Sequence, residues 1–120
     1  MPSLSLRINL DPAGRIGPGK IELLEQIAAF GSISAAARNM EMSYKRAWDL
    51  VEQMNRLFGK PVVSAQTGGR RGGGAQLTLV GLAIVSRFRA IERAAQTVAE
   101  KHIEALQAEI AAAETKEPAG

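Results

Sequence analysis

Leu4, Leu6, Ile8 and Leu10 alternate with Ser5, Arg7 and Asn9. A period of two predicts a half-buried strand. The turn-forming run Asp11-Pro12-Ala13-Gly14 ends it. After Gly17-Pro18-Gly19 the period lengthens, and Ile21, Leu24, Ile27, Ala28 and Phe30 give a helix with one buried face, closed by Gly31 as C-terminal cap. A second, short helix spans Ala35 to Met40, with Ser32 or Ser34 as cap and three consecutive alanines that let another helix approach closely. Glu41-Met42 forms a turn, and Ser43 is suited to cap a third helix by accepting from a backbone N–H. Along that helix Ala47, Leu50, Val51, Met54, Leu57 and Phe58 make the core stripe, while Lys45, Arg46, Asp49, Gln53 and Arg56 stay outside it.

Gly59-Lys60-Pro61 stops the third helix; Val62-Val63 begins a strand and Gln76-Leu77-Thr78 returns as its partner. Between them Gly68, Gly69, Gly72, Gly73 and Gly74 surround Arg70 and Arg71, too many glycines for a strand interior and suited to a tight tip. From Thr78 a helical pattern runs to about Ala113, interrupted only by Gly81. Ile84, Phe88, Ile91, Ala95 and Val98 step by four and three; Ala99, Ile103, Leu106 and Ile110 continue after a stutter-like shift of face. Such a narrow seam is that of a helix pairing with a copy of itself. The expected division is a winged helix-turn-helix domain over 1–78, a long dimerisation helix over 79–113 and a flexible tail over 114–120. The fold class is mostly α: a winged helix-turn-helix with a short β-hairpin wing, an N-terminal β-strand and a long C-terminal helix.

Charge sharpens this picture. Residues 1–75 carry ten Lys/Arg against six Asp/Glu, whereas residues 76–120 carry five against six. The basic excess lies in the half that holds the helix-turn-helix, the footprint expected for a polyanionic partner. There is no cysteine, hence no disulfide or thiolate metal site. The first ten residues lack the pattern of a signal peptide, and no apolar run approaches the ~20 residues of a membrane span. A cytoplasmic protein without membrane contact is expected. His102 is the only histidine and has no ligand cluster near it, and no nucleophile-base-acid set is evident, so neither a metal site nor an enzyme is expected.

The helix beginning at Ser43 is the candidate recognition helix, its first turns meeting base edges. Ser43, Tyr44, Lys45, Arg46 and Asp49 form its polar set. Arg46 or Lys45 can donate to guanine O6/N7. Asp49 must either orient an arginine or accept from a cytosine amine, since it would repel phosphate. Tyr44 and Trp48, four apart, share one side, where they either stack on DNA or pack on the neighbouring helix; a half-buried indole is the simpler expectation for Trp48. Ser32, Ser34 and Arg38 flank the preceding helix as phosphate contacts, or the serines serve only as caps. Arg70 and Arg71 at the wing tip would hold DNA backbone or minor groove, giving salt-dependent binding. The glycine-rich segment lacks the G-x-x-x-x-G-K-[ST] pattern of a nucleotide-binding loop.

The stretch GSISAAARNMEMSYKRAWDLVEQMNRLFGKPVV followed by TGGRRGGGAQLTLVG resembles the N-terminal DNA-binding domain of the molybdate-responsive ModE regulators, itself similar to the winged helix of LysR-type regulators. SYKRAW, QMNRLFG and the TGGRRGGGA wing carry the resemblance, which covers Ile16 to Arg93. It implies a winged-helix fold, dimerisation through flanking helices and palindromic operator binding in the major groove. Arg71 stands where that pattern usually has glycine. Glu41 stands where helix-turn-helix motifs often place one, and a left-handed conformation there costs a non-glycine residue about 1 kcal/mol. The chain ends at Gly120, without the oxyanion-binding modules of full-length regulators, so no cofactor and no direct molybdate binding are expected. The expected function is a sequence-specific regulator of molybdenum-related genes, binding double-stranded DNA as a homodimer. A separate molybdate-sensing protein or a full-length regulator would supply the signal. A non-specific architectural DNA binder, or an interaction protein that forms heterodimers with a full-length regulator, is the alternative.

Overall fold

The computed structural model describes residues 2–12, 14–66 and 74–116, with side chains as far as Ile110 except that of Gln66. Its elements run β1 (Ile8–Asn9), β2 (Arg15–Ile16), α1 (Pro18–Phe30), α2 (Ile33–Asn39), α3 (Tyr44–Phe58), β3 (Val63–Gln66), β4 (Gly74–Leu77) and α4 (Leu79–Lys116). The alternation at the N-terminus survives as burial: Leu4, Leu6, Ile8 and Leu10 are half-buried and Ser5, Arg7 and Asn9 exposed. Only two of these residues pair in a ladder, because their partner is the two-residue β2, which periodicity does not reveal; Ile8 faces Ile16 and Asn9 faces Arg15 in an antiparallel ribbon.

α1 lies at the centre, packed against α2, α3, α4 and β4. Enclosure on several sides explains why Ile21, Leu23, Leu24 and Ile27 are all buried, rather than one narrow stripe. Leu23 joins the core, while Ala28 and Phe30 are exposed, Phe30 by 50%. Gly31 closes α1 in the left-handed conformation, φ 67°, its N–H donating to the Ile27 carbonyl at 2.8 Å. The Gly31 carbonyl in turn accepts from Ala75 N–H at 2.8 Å, which ties β4 to the end of α1. Around α1 the core gathers Ala36 and Ala37 of α2, Ala47, Leu50, Val51 and Met54 of α3, Val62, Leu77, and Ile84 and Phe88 of α4. Leu57 and Phe58 pack on it partly buried.

The joint between wing and α4 is hydrogen-bonded throughout. Asn55 of α3 accepts from Val62 N–H at 2.8 Å, and the Val62 carbonyl accepts from Thr78 N–H at 3.0 Å. Thr78 caps α4: its hydroxyl donates to the Pro61 carbonyl at 2.7 Å and accepts from Gly81 N–H at 3.1 Å. Gly81 does not break the helix. Any Cβ there would run into the Val62 carbonyl oxygen, so glycine is what lets α4 start this close to the hairpin.

Two expectations for α4 need correction. The helix continues to Lys116, three residues into the stretch read as tail, in keeping with the high helix propensity of Ala111 to Ala113. Ile84 and Phe88, read as part of a dimer seam, are 8% and 1% exposed and belong to the domain's own core. The spacing that marked a seam there arises because the first turns of α4 pack across α1 and β4.

Candidate nucleic-acid interface

The helix-turn-helix is built by α2, a tight turn and α3. Ser32 caps α2 through its hydroxyl, which accepts from Ala35 N–H at 3.1 Å and lies 3.0 Å from the Ser34 hydroxyl. Ala36 and Ala37 are buried, which brings the α2 backbone close to its neighbours. In the turn Glu41 has φ 57°, the left-handed conformation anticipated for a glycine-favouring position, and Met42 N–H returns to the Ala37 carbonyl at 3.0 Å. Ser43 caps α3 by accepting from Arg46 N–H at 3.0 Å. Gly59 closes α3 at φ 68°.

At about 100° per residue, α3 presents three surfaces outside its core stripe. Lys45, Asp49, Glu52 and Arg56 form the outermost one. Asp49 there orients Lys45, at 3.3 Å, rather than an arginine. Lys45 is exposed and Asp49 half-exposed, and such a pair contributes at most about 1 kcal/mol. Tyr44 and Trp48 form the flank toward the wing, 57% and 44% exposed, so neither ring is spent on the core. With Ser32, Ile33 and Ser34 on one side and Val63, Ala65, Gly74 and Ala75 on the other, they line a cleft of about 340 Å³ between α3 and the hairpin. Arg46 and Gln53 form the opposite flank.

The helix-turn-helix thus gathers Ser32, Ser34, Ser43, Tyr44, Lys45, Arg46 and Asp49 around one end of α3, with Arg38 exposed in the last turn of α2. Arg70 and Arg71 lie outside the described residues; the hairpin that leads to them pairs Val63 with Leu77 through Gln66 with Gly74.

Sequence reasoning misses a second cationic group. Arg7, Arg15 and Lys20 converge with Arg46 on a cavity of about 440 Å³ beside α3. No spacing rule links them, because they come from the β1 segment, β2, α1 and α3, and the β1–β2 pairing that brings the first two together leaves no periodic signal. Arg7 lays its stem over Gly17, the buried first residue of the turn into α1. Lys20 donates to the Arg15 carbonyl at 2.9 Å, and burial, then the charges of Arg15 and Arg46, lower its pKa from the usual lysine value.

On α4, beyond Phe88, Ile91, Val98, Leu106 and Ile110 are 45%, 79%, 69% and 56% exposed. Ala95 and Ile103 are partly covered. The helix carries these residues away from the domain body, which gives the molecule a long dimension of 67 Å. Among the described residues no helix is long and apolar enough to cross a membrane, and no group of three or more His, Asp or Glu is placed to hold a metal ion.

A three-helix core with a capped, exposed third helix and an adjoining β-hairpin defines a winged helix-turn-helix domain. The family model of the bacterial regulatory helix-turn-helix proteins of the lysR family matches residues 19–82, and the chain belongs to that family. It is 46% identical over 89 residues to the molybdenum-pterin-binding protein MopA of Rhodobacter capsulatus, covering 72% of this chain and 34% of that protein. It is 40% identical over 88 residues to the transcriptional regulator ModE of Haemophilus influenzae, covering 73% of this chain and 34% of the regulator. The chain therefore spans about a third of the length of these relatives. Among solved structures, the CbnR DBD–DNA complex superposes with a TM-score of 0.57 at 19% identity, covering 73% of this chain and 95% of that one. That likeness establishes the fold.

Proposed function

We propose that this chain is the DNA-reading part of a transcriptional regulator of molybdenum-related genes, with α3 as its recognition helix in the major groove. The observation that carries the reading is that α3 is free along its whole outward surface at the end where its first turn is capped. There Tyr44 and Trp48 stand exposed on the flank toward the wing, Lys45 on the outermost surface and Arg46 on the opposite flank. Arg46 serves as the principal base-reading donor and Lys45, steered by Asp49, as the second. Ser32 and Ser34, which line the cleft toward the wing, and Arg38 in the last turn of α2 hold backbone. The similarity to the H. influenzae transcriptional regulator supports the regulatory role, and that to the molybdenum-pterin-binding protein MopA supports the link to molybdenum.

The exposed apolar residues of α4, Ile91, Val98, Leu106 and Ile110, support a homodimer formed along that helix. Two copies of α3 would then meet half-sites one helical turn apart, about 34 Å, which makes the operator an inverted repeat. The reading places the protein in the cytoplasm, assigns it no catalytic step and no cofactor, and leaves molybdate sensing to a partner such as a full-length regulator.

Trp48 is the only tryptophan in the chain, so its fluorescence reports on α3 alone. Addition of operator duplex is expected to shield it from iodide quenching. A duplex that binds while Trp48 stays as accessible as in the free protein would remove α3 from the interface.

A further inference from the structure

The cavity lined by Arg7, Arg15, Lys20 and Arg46 has a charge balance that the fold alone does not explain. No carboxylate lines it among the described residues, and none of its four cations takes part in an ion pair there. Three of the four come from outside the helix-turn-helix, and Lys20 sits in the first turn of α1. That end of a helix carries the positive pole of its dipole, and a cation is unfavourable there. The first turn holds no acidic residue, and Gly17 supplies no capping side chain, so the free backbone donors add to the positive field rather than offset it. The pKa of Lys20 is lowered first by burial and then by the neighbouring charges of Arg15 and Arg46, the second part being the repulsion within this group. Four cations gathered around a cavity of about 440 Å³ are stabilised by an oxyanion placed among them.

Position selects the oxyanion. The wall of the cavity on one side is α3 itself, through Arg46, Leu50 and Gln53. The DNA major groove is about 12 Å wide, close to the roughly 10–12 Å diameter of a helix with its side chains. A helix lying in it therefore has a phosphate ridge along each flank. The flank of α3 that bears Tyr44 and Trp48 faces the wing. The flank that bears Arg46 and Gln53 faces this cavity. We infer that the Arg7–Arg15–Lys20 cavity is a phosphate pocket that grips the DNA backbone on the side of the recognition helix opposite the wing. This makes the β1–β2 ribbon a second positioning element of the interface. The inference rests on α3 being the recognition helix. Arg46 then stands between a base edge and this phosphate, and Arg7, Arg15 and Lys20 hold the register in which it reads.

The test is the double variant Arg7→Ala/Arg15→Ala, compared with Arg93→Ala/Lys101→Ala, which removes the same charge from the exposed face of α4. Affinity for the operator and for unrelated duplex should fall together, by about tenfold or more, with the selected base preference unchanged. The slope of log K against log salt should become shallower by about 0.9 for each phosphate that the variant no longer neutralises. The α4 variant should keep the wild-type slope. Unchanged affinity and slope in Arg7→Ala/Arg15→Ala, with Trp48 still shielded by duplex in the wild type, would overturn the pocket while leaving the recognition helix standing. Failure of the wild type to bind duplex at all would instead sink the parent reading. A second arm titrates inorganic phosphate into the DNA-free protein, followed by the amide resonances of Lys20 and Arg15. Saturation at submillimolar phosphate, together with wild-type DNA binding by the double variant, would assign the pocket to a free anion and overturn the proposal. Thermal melting of the double variant guards against misfolding; the same expectations apply to Lys20→Gln, which keeps most of the side-chain volume.

Discussion

Arg89 of α4 grips Glu25 of α1 with two parallel hydrogen bonds, Nη2 to Oε1 at 2.6 Å and Nε to Oε2 at 3.0 Å, across 64 positions of sequence. Its remaining Nη1 donates to Glu92 at 2.6 Å. The hydrogen bonds to Glu25 and then Glu92 raise the arginine pKa above its ordinary value. The pair is partly exposed, so its worth is modest, but its planar two-bond geometry ties α4 to α1 where the long helix leaves the domain. Arg89→Ala is expected to lower unfolding stability by roughly 1 kcal/mol. It should also loosen α4 relative to α1, measurable as faster hydrogen exchange in α4 before any change in α3. Unchanged exchange in α4 would show that the apolar packing of Ile84 and Phe88 alone sets the junction.

Gly81→Ala should be far costlier than an ordinary helix substitution. The added methyl meets the backbone carbonyl of Val62, which also holds Thr78 N–H and so cannot simply withdraw. A loss of about 1–3 kcal/mol is expected from such overpacking, although alanine is the better helix former. Gly19→Ala is the control: nothing lies within 4 Å of its added Cβ, and denaturant melts should place it at or slightly above the wild type. Equal effects at the two sites would contradict the close approach of α4 to the hairpin.

Glu41 holds a left-handed backbone, φ 57°, between α2 and α3. Glu41→Gly removes that steric cost and should raise stability by about 0.5–1 kcal/mol in urea titration. A destabilised Glu41→Gly would mean that the glutamate side chain contributes more than its backbone strain costs.

Val98→Glu combined with Leu106→Glu tests the proposed dimer. The two positions are 79% and 69% exposed, so the domain core should be untouched and its melting within about 0.5 kcal/mol of the wild type at concentrations where both are monomeric. Sedimentation equilibrium should change from dimer to monomer. A dimer that persists would move the interface elsewhere, the first place to look being the apolar groove formed by Ile8, Leu10, Phe58 and Ile91.

Much of this architecture is legible along the chain because local chemistry dictates it. Ser43 before Tyr44-Lys45-Arg46, Gly31 and Gly59 after apolar runs, and Ser32 before the alanines all act within one helical turn, and each forms the cap its position suggests. The left-handed turn at Glu41 follows in the same way; the hairpin's strands are marked by Val62-Val63 and Gln76-Leu77-Thr78, but the register that pairs Val63 with Leu77 is not. What periodicity does not convey is set by partners distant in sequence. Leu23 is buried because α1 is enclosed, not because it lies on the apolar stripe. Ile84 and Phe88 share the spacing of a pairing helix yet are consumed by the core, whereas Val98 and Leu106, further along the same helix, are not. Arg7, Arg15 and Lys20 become a group only through the β1–β2 ribbon, whose second strand is two residues long.

The central claim, that α3 reads base sequence through Arg46, is tested most directly by selecting bound duplexes from random DNA at about 0.15 M salt with the wild type and Arg46→Ala side by side. The wild type should recover an inverted repeat with half-sites centred about one helical turn apart. Arg46→Ala should lose the preference for one base pair in each half-site, at about 1–3 kcal/mol per site, while still binding unrelated duplex. Recovery of the same motif with the same stringency by both proteins would contradict the assignment of α3 and Arg46 as the reader.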